Sequence, residues 1–218
     1  MEELNLTGKV SVITGAVSGI GRAIAESFCA HGSDVAVVDK KDGKEAANNM
    51  REKYKKECVY FKCDVSIYDE VKVACKRILD KFSKVDILVC NVGYSSTVSI
   101  SDMEIEEWQK TLNINLNGAF YFIHSLINPM IEKKKGNIII IGSSTTLTGS
   151  GGGVHYAASK SGLKGIVKGI SYELLSKGIR TNVITPAVID TEPLRARYPD
   201  TEEVNKMLAV QIPLGRIG

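Results

Sequence analysis

Short apolar runs alternate with longer helical patterns along almost the whole chain, and no other feature restricts the fold as much. Six runs have the length of a strand and are rich in β-branched residues: 9–14, 34–38, 59–63, 85–90, 137–141 and 179–185. Strand-like runs separated by helices indicate parallel strands joined by right-handed crossovers. The sequence therefore predicts an α/β fold, a single Rossmann-like doubly wound parallel β-sheet with helices on both faces.

The segments between these runs place apolar residues at helical spacing. We expect helices at 20–31, 43–57, 67–82, 105–133 and 154–176. The fourth is predicted to be one continuous helix whose last turns are kinked by Pro129. Because neither a linker nor a repeat interrupts the rhythm, residues 1–218 are predicted to form one domain.

The composition excludes several classes of protein. With 44% hydrophobic residues the chain can form a core, unlike a disordered chain. Its 28 basic and 25 acidic side chains leave a formal charge of +3, which predicts neither a nucleic-acid partner nor an anionic membrane surface. The longest apolar runs have the length of strands, so no transmembrane helix is expected, and the polar residues 1–5 are unlike a signal peptide.

The cysteines indicate the compartment. Cys29, Cys58, Cys63, Cys75 and Cys90 are odd in number and lack the spacing of metal ligands. They are typical of free thiols in a reducing cytosol, so we expect a cytoplasmic protein with no bound metal. Cys90, at the end of an apolar run, is interpreted as an inert apolar filler.

A glycine-rich turn follows the first strand and opens directly into a helix. Residues 14–21 read TGAVSGIG, with Gly15, Gly19 and Gly21. Glycines allow the backbone to turn sharply and approach a pyrophosphate, and the helix N-terminus offers unpaired N–H groups. Because a doubly wound sheet binds ligands beyond the carboxyl ends of its strands, this turn predicts a dinucleotide site.

An acidic residue stands at the end of the second strand. Asp39 lies 24 residues after Gly15, close to the ~20 expected of a ribose-binding carboxylate. A carboxylate accepts hydrogen bonds from ribose hydroxyls and repels a 2′-phosphate, which favours NAD over NADP. Ser18 supplies no cation for such a phosphate, but Lys40 and Lys41 leave NADP open as an alternative.

The spacing of the three glycines resembles the TGxxxGxG turn of the short-chain dehydrogenase/reductase family, and further family motifs follow over essentially the whole chain. Residues 156–160 (YAASK) match the family's YxxxK, and Ser143 stands 13 residues before Tyr156, the usual spacing of its serine and tyrosine. Residues 115–118 (NLNG) match the helix motif that carries a proton-relay asparagine, here Asn115. Each match is weak alone, but their order makes the combination specific.

The resemblance also implies the contacts to an NAD(P) cofactor. Asp64 and Val65 resemble the pair that contacts adenine. Residues 90–93 (CNVG) resemble the NNAG segment, and residues 186–191 (PAVIDT) resemble the PGxxxT stretch that holds the nicotinamide amide; both depart from the family pattern. The implied cofactor residues are Gly15, Ser18, Gly19, Ile20, Gly21, Asp39, Asp64, Val65, Asn91, Val92, Gly93, Tyr156, Lys160, Pro186, Ile189 and Thr191.

The catalytic candidates that the resemblance implies are Asn115, Ser143, Tyr156 and Lys160. Tyr156 and Lys160 are four positions apart, so they share one helix face. A free phenol has a pKa of ~10, and acid–base work near neutral pH needs a lowering of ~3 units, or ~4 kcal/mol. A buried ammonium a few ångströms away, helped by the positive nicotinamide of the oxidised cofactor, is of the right order.

The expected substrate contacts are Ser143, Ser144 and Tyr156. Ser143 follows a strand, so its hydroxyl is predicted to donate to the substrate oxygen, with Ser144 as an alternative donor. By the resemblance, Lys160 also binds the nicotinamide ribose, and Asn115 holds a water that links Lys160 to solvent. We therefore expect an oxidoreductase that transfers a hydride between NAD(H) and a small secondary alcohol or its ketone.

The walls of the substrate pocket are predicted at 94–98, 144–154 and 191–212. Residues 192–210 are interpreted as a mobile lid, in which Arg195 could meet an acidic group of the substrate. His155 is expected to line the rim of the pocket or to face solvent, since neighbouring helix positions point in different directions.

The chain ends on residues 212–218 (IPLGRIG), which in the family are followed by a further helix and a seventh strand. We therefore expect a C-terminally short chain with an uncovered sixth strand. The resemblance implies a homodimer or homotetramer, for which the helices around 108–122 and 156–175 remain available.

Two other functions stay open. One is NADPH-dependent reduction of 3-oxoacyl-(acyl-carrier-protein) thioesters, against which Asp39 argues. The other is a non-catalytic, nucleotide-binding regulatory module, against which the intact set of catalytic candidates argues.

Overall fold

The computed structural model describes residues 4–210 and 212–218. Residues 1–3, part of the N-terminal segment interpreted above, and Gln211, in the predicted pocket wall, lie outside the described residues. The six strands of the described chain are β1 (Val10–Thr14), β2 (Asp34–Asp39), β3 (Cys58–Lys62), β4 (Ile87–Cys90), β5 (Gly136–Ile141) and β6 (Ile179–Ile184). Each strand begins and ends within two residues of its predicted bounds.

These strands form one parallel sheet in the order β3-β2-β1-β4-β5-β6. Strand β1 pairs with β2 on one side, where Thr14 lies opposite Val38, and with β4 on the other, where Ile13 lies opposite Val89. The strand order therefore reverses beside β1, and the carboxyl ends of β1 and β4 border the crevice in which doubly wound sheets bind ligands. The predicted Rossmann-like fold is confirmed.

Successive side chains of a strand point to opposite faces of the sheet, so both faces carry apolar side chains. Helices cover both of these faces. The α-helices of the described chain are α1 (Gly19–Ala30), α2 (Lys44–Tyr54), α3 (Tyr68–Phe82), α4 (Ile105–Leu112), α5 (Gly118–Glu132), α6 (Thr145–Thr148), α7 (Gly153–Leu174), α8 (Glu192–Arg195) and α9 (Glu202–Ala209). Val35 and Val37 of β2 are buried in one core with α1 and α2, whereas Ala36 and Val38 are buried in the other with α3, α5 and α7.

The predicted continuous helix 105–133 contains an interruption that its apolar pattern did not indicate. Helices α4 and α5 are joined by one π-helical turn, Asn113–Asn117, with Asn115 buried inside it. A π turn adds a residue to the helical ladder and changes which side chains point inward. Pro129 lies within α5, three residues before that helix ends at Glu132.

The helices found in the described ranges include none with both the length and the apolar character needed to cross a membrane.

Candidate active site

The glycine turn between β1 and α1 is held in a conformation that requires glycine. Gly15 and Gly19 have φ angles of +67° and +55°. A Cβ atom on Gly21 would lie 2.1 Å from the Gly15 carbonyl oxygen and 2.5 Å from Asn91 Nδ2. Asn91 Nδ2 donates hydrogen bonds to the carbonyls of Thr14 (3.0 Å) and Gly15 (3.2 Å). The carboxyl end of β4 therefore holds the turn against the start of α1, where free N–H groups favour a phosphate.

The carboxylate of Asp39, at the end of β2, lies against the same turn. Its Oδ2 accepts a hydrogen bond from the Val17 amide (3.3 Å), and its Oδ1 accepts one from the Lys41 amide (3.0 Å). Lys40 and Lys41 line this end of the cleft as well. An acid and two lysines thus surround the place where a ribose would lie beside the turn.

A cleft of about 1080 Å³ runs along the carboxyl edge of the sheet. Seventeen of the predicted site residues line it: Gly15, Ser18, Gly19, Ile20, Asp39, Asp64, Val65, Asn91, Val92, Gly93, Ser143, Ser144, Tyr156, Lys160, Pro186, Ile189 and Thr191. Gly21 and Asn115 lie behind its walls. A cleft of this size, with a glycine cradle that a Cβ would fill, fits a dinucleotide.

Asn115 uses its side chain to hold the chain after β4. Its Oδ1 accepts a hydrogen bond from the Tyr94 amide (2.7 Å), and its Nδ2 donates to the Tyr94 carbonyl (2.9 Å) and to Ser159 Oγ (2.9 Å). The π turn directs this amide inward, so Asn115 joins the loop after β4 to α7. The water beside Asn115 that the family resemblance implies stays a prediction.

Lys160 is buried on the cleft face of α7, next to Tyr156. Its Nζ donates a hydrogen bond to the Ile141 carbonyl (2.9 Å) and lies 5.8 Å from the centre of the Tyr156 ring. Burial lowers the pKa of Lys160 to about 8. The same helix turn thus presents a phenol and an ammonium that holds its proton less tightly than a free lysine does.

For Tyr156, the protein alone shifts the pKa in the direction opposite to the one expected from the sequence. Burial raises the pKa of the phenol, and a hydrogen bond with Ser143 opposes this rise only in part. The expected lowering therefore depends on a further positive charge at the site.

The pKa of Lys160 predicts a pH dependence of stability. Between pH 8 and 10.5 the unfolded chain keeps a proton on Lys160 that the folded chain has lost, so the free energy of unfolding rises with pH in this window. From pH 8 to 10.5, we expect the free energy of unfolding of the wild type to rise by about 3 kcal/mol more than that of Lys160→Met. Urea unfolding of both proteins at several pH values measures the difference, and a difference independent of pH contradicts the assigned pKa.

Ser143 and Ser144 lie just after β5, and both line the cleft. The Ser143 hydroxyl opposes the rise in the pKa of Tyr156, donates to Thr145 Oγ1 (3.0 Å) and accepts from the Thr145 amide (3.2 Å). The Ser144 backbone amide donates to the Pro186 carbonyl (2.9 Å), which joins the loops after β5 and β6. The hydroxyl of Ser144 stays a predicted alternative donor.

His155 does not line the rim or face solvent as predicted; it is completely buried. Its Nε2 lies 2.8 Å from Ser96 Oγ and 3.7 Å from Glu107 Oε1. Gly153, two residues before His155, has a φ of +76°, and a Cβ there would lie 2.7 Å from His155 Cε1. The glycine run before His155 was the available signal, because it lets α7 begin with this ring turned inward.

The two arginines of the segment after β6 have different surroundings, and the one expected to meet an acidic substrate group, Arg195, is already paired. Arg195 is paired inside its own segment: Nε and Nη2 each lie 2.7 Å from the Asp190 carboxylate, and Nη1 donates to Asn205 Oδ1 (2.8 Å). It is therefore not available to an acidic substrate group. Arg197 lines the cleft instead and donates to the Ser95 carbonyl across it (3.4 Å).

The five cysteines are buried thiols. Burial raises the pKa of Cys90 to about 12, which favours the unreactive thiol at the end of β4.

Comparisons with known proteins agree with this geometry. A family model described as short chain dehydrogenase matches residues 9–202. The chain is 34% identical over 216 residues to the 3-oxoacyl-(acyl-carrier-protein) reductase FabG of Escherichia coli K12, which covers 99% of this chain and 86% of that protein. It is 32% identical over 201 residues to zerumbone synthase of Zingiber zerumbet, covering 91% of this chain and 75% of that one.

Two solved structures are similar over 99% of this chain and 85% of theirs, each at 28% identity. The crystal structure of gox2181 superposes with a TM-score of 0.90, and that of a short-chain type dehydrogenase/reductase from Mycobacterium marinum with 0.87.

Proposed function

Because this chain belongs to the short-chain dehydrogenase family, an NAD(P)-dependent oxidoreductase family, we propose that it transfers a hydride between NAD(H) and a secondary alcohol or its ketone, with Tyr156 as the acid–base group. The observation that carries the proposal is the convergence of Ser143, Tyr156 and Lys160 on the cleft that also contains the glycine turn. An absorbance assay at the nicotinamide band with a panel of ketones, polyols and sugars tests it. A protein that binds NADH but turns over none of them contradicts it.

The residues of the cleft divide into those that hold the cofactor and those that handle the proton. The amides of the glycine turn and the N-terminus of α1 bind the pyrophosphate, and Asp39 accepts hydrogen bonds from the adenosine ribose. Lys160 binds the nicotinamide ribose at the other end. When bound, the cofactor would supply or accept the hydride and, when oxidised, would add a positive charge to the site.

The proton is held at the phenolic oxygen of Tyr156. In the reducing direction Tyr156 protonates the oxygen that receives negative charge, and Ser143 donates a hydrogen bond to the same oxygen. The ammonium of Lys160 stabilises the resulting phenolate, since the two groups share one helix face. A water held near Asn115 then returns a proton through Lys160.

Asp39 sets the cofactor preference in this proposal. Replacing it by asparagine removes the charge that repels a 2′-phosphate while Lys40 and Lys41 remain beside the site. We expect Asp39→Asn to shift the ratio of NADH to NADPH affinity at least about tenfold toward NADPH, the size of one charge-assisted hydrogen bond. Fluorescence titration with both dinucleotides measures the ratio.

Asp42→Asn is the matched control. Asp42 is an exposed acid of the same segment, outside the cleft lining, whose Oδ1 accepts a hydrogen bond from the Lys44 amide. We expect its replacement to leave the ratio unchanged. Equal ratios in the wild type and Asp39→Asn would remove the argument for NAD.

A second candidate function is NADPH-dependent reduction of 3-oxoacyl thioesters. The relatives named FabG, at 34% identity, favour it, and the same acid–base residues would serve it. It differs from the main proposal in its cofactor and its substrate. Preferred binding of NADPH, together with turnover of a 3-oxoacyl thioester and of no simple ketone, would decide for this alternative.

A further inference from the structure

The charges along the cleft are unevenly distributed. Near the glycine turn and the ends of β2 and β3, two acids lie among the lining residues with Lys40 and Lys41: Asp39 and Asp64. Toward Ser143 and Tyr156 the only charged lining residues of the described chain are Lys160 and Arg197, both basic. The half of the cleft near Ser143 and Tyr156, where the substrate is proposed to bind, is therefore positively charged. Among the described residues, no carboxylate lines this half.

Arg197 lies in a segment that is held firmly by other contacts. Arg195 bonds Asp190, Asn205 and, at 3.4 Å, Asp200, so it joins the start of α8 to the start of α9. The Arg197 amide donates to the Leu194 carbonyl (3.0 Å), which fixes its backbone at the end of α8. The neighbouring ion pairs thus position Arg197 without using its guanidinium.

The guanidinium of Arg197 has only a weak partner among the described residues. Its Nη2 donates to the Ser95 carbonyl at 3.4 Å, a long hydrogen bond to a neutral acceptor, and no carboxylate of residues 4–210 and 212–218 pairs with it. A guanidinium offers five donors in a planar fork that matches a carboxylate or a phosphate. At the mouth of a positively charged pocket, such a group favours an anionic ligand.

We propose that Arg197 binds an anionic group, a carboxylate or a phosphate, carried by the oxo substrate at the end opposite its reacting carbonyl. This inference rests on the proposed function, because it assigns a substrate class to the same cleft. It makes Arg197 a specificity residue: the hydride and proton steps remain with the residues around Tyr156, and the arginine selects which ketones enter.

The test compares three acetoacetyl compounds that share the reacting ketone. Acetoacetate carries a carboxylate, acetoacetyl-phosphopantetheine carries a phosphate, and acetoacetyl-N-acetylcysteamine is neutral. For Arg197→Gln we expect KM to rise at least about tenfold for one of the anionic compounds, with KM for the neutral compound unchanged. Arg197→Lys, which keeps the charge but loses the fork, should recover part of this loss. The compound that responds identifies the anionic group.

Lys206→Gln is the matched control for charge. Lys206 lies on α9 in the same segment, pairs with Glu202 at 2.7 Å and is absent from the cleft lining. We expect it to change KM for none of the three compounds. If Arg197→Gln raises KM equally for all three, the arginine only fastens the segment to Ser95, and the proposal is overturned; an unchanged KM throughout overturns it as well.

A binding measurement separates this proposal from the proposed function. Calorimetric titration of the NAD⁺-loaded wild type and Arg197→Gln with acetoacetate and with phosphopantetheine measures binding without turnover, because NAD⁺ has no hydride to give to the ketone. Binding of either anion that weakens at least about tenfold in the variant supports the anion site even if no compound is reduced, in which case only the proposed function fails. A wild type that binds neither anion overturns the inference while leaving turnover of neutral ketones possible.

Discussion

Replacing Tyr156 by phenylalanine is expected to lower kcat by a factor of about 10³ while the protein keeps its fold and its affinity for NADH. The substitution removes one oxygen from a buried ring on α7 and leaves the ring's packing, the Lys160 ammonium and the glycine turn in place. Only the proton donor to the substrate oxygen is lost. A rate assay with a turned-over ketone, together with fluorescence titration by NADH, measures both quantities.

Tyr94→Phe is a matched control in the same cleft. The Tyr94 hydroxyl donates to Glu107 Oε2 (3.3 Å) and accepts from Lys110 Nζ (3.0 Å), so it is engaged away from Ser143. We expect this variant to keep most of the wild-type kcat. A Tyr156→Phe protein that retains a tenth or more of the wild-type rate would show that the proton comes from another group.

The Gly21→Ala substitution is expected to damage both stability and cofactor binding. The added methyl would lie 2.1 Å from the Gly15 carbonyl oxygen and 2.5 Å from Asn91 Nδ2, and a backbone carbonyl cannot yield as the end of a flexible side chain can. The turn must therefore separate from the start of α1. We expect the free energy of unfolding to fall by about 3 kcal/mol or more and the NADH affinity to fall at least about tenfold.

Gly169→Ala separates the effect of the site from the effect of alanine itself. Gly169 is exposed on α7, and nothing lies within 4 Å of the position of its missing Cβ. Alanine there should leave NADH binding unchanged and stabilise the helix by roughly 0.5–1 kcal/mol. Urea unfolding and NADH titration compare the two variants. If Gly21→Ala binds NADH as the wild type does, the close contact at Gly15 is not required for the site.

Local pattern was sufficient to predict the strands of this fold. Runs such as 137–141, buried between helices on both sides, are apolar at nearly every position, so each strand is visible in isolation. The order of the strands is not visible in this way, because it depends on which edge each helical crossover leads to. The interruption at Asn113–Asn117 was missed since one added residue hardly disturbs an apolar pattern of period 3.6.

The positions of site residues could be predicted where a motif determines the backbone. They could not be predicted where a side chain has several potential partners in the folded protein. The glycine turn, Asp39, Ser143 and Tyr156 meet in one cleft because each follows the carboxyl end of a strand or lies on the helix face above it. The roles of Arg195 and Arg197 could not be assigned beforehand. Only the folded segment brings Asp190 and Asn205 to Arg195 and leaves its neighbour in the cleft.

The burial of His155 shows a related limit. Helix geometry correctly separates it from Tyr156, but the direction in which it points depends on the position of Ser96 and Glu107, which lie on other segments. Sequence spacing along one helix therefore gives the relative directions of two side chains, and tertiary contacts decide which of them is buried.

We propose that this cleft is where a hydride is transferred to the carbonyl carbon of a ketone that Tyr156 protonates. The most direct measurement incubates the protein with NADH deuterated at the transferred position and a ketone from the panel, and determines by mass spectrometry whether deuterium reaches the carbinol carbon. We expect an alcohol one mass unit heavier from the wild type and none from Tyr156→Phe on the same timescale. A wild type that binds NADH and transfers no label to any ketone or 3-oxoacyl thioester, or a phenylalanine variant that transfers label at the wild-type rate, would contradict the account.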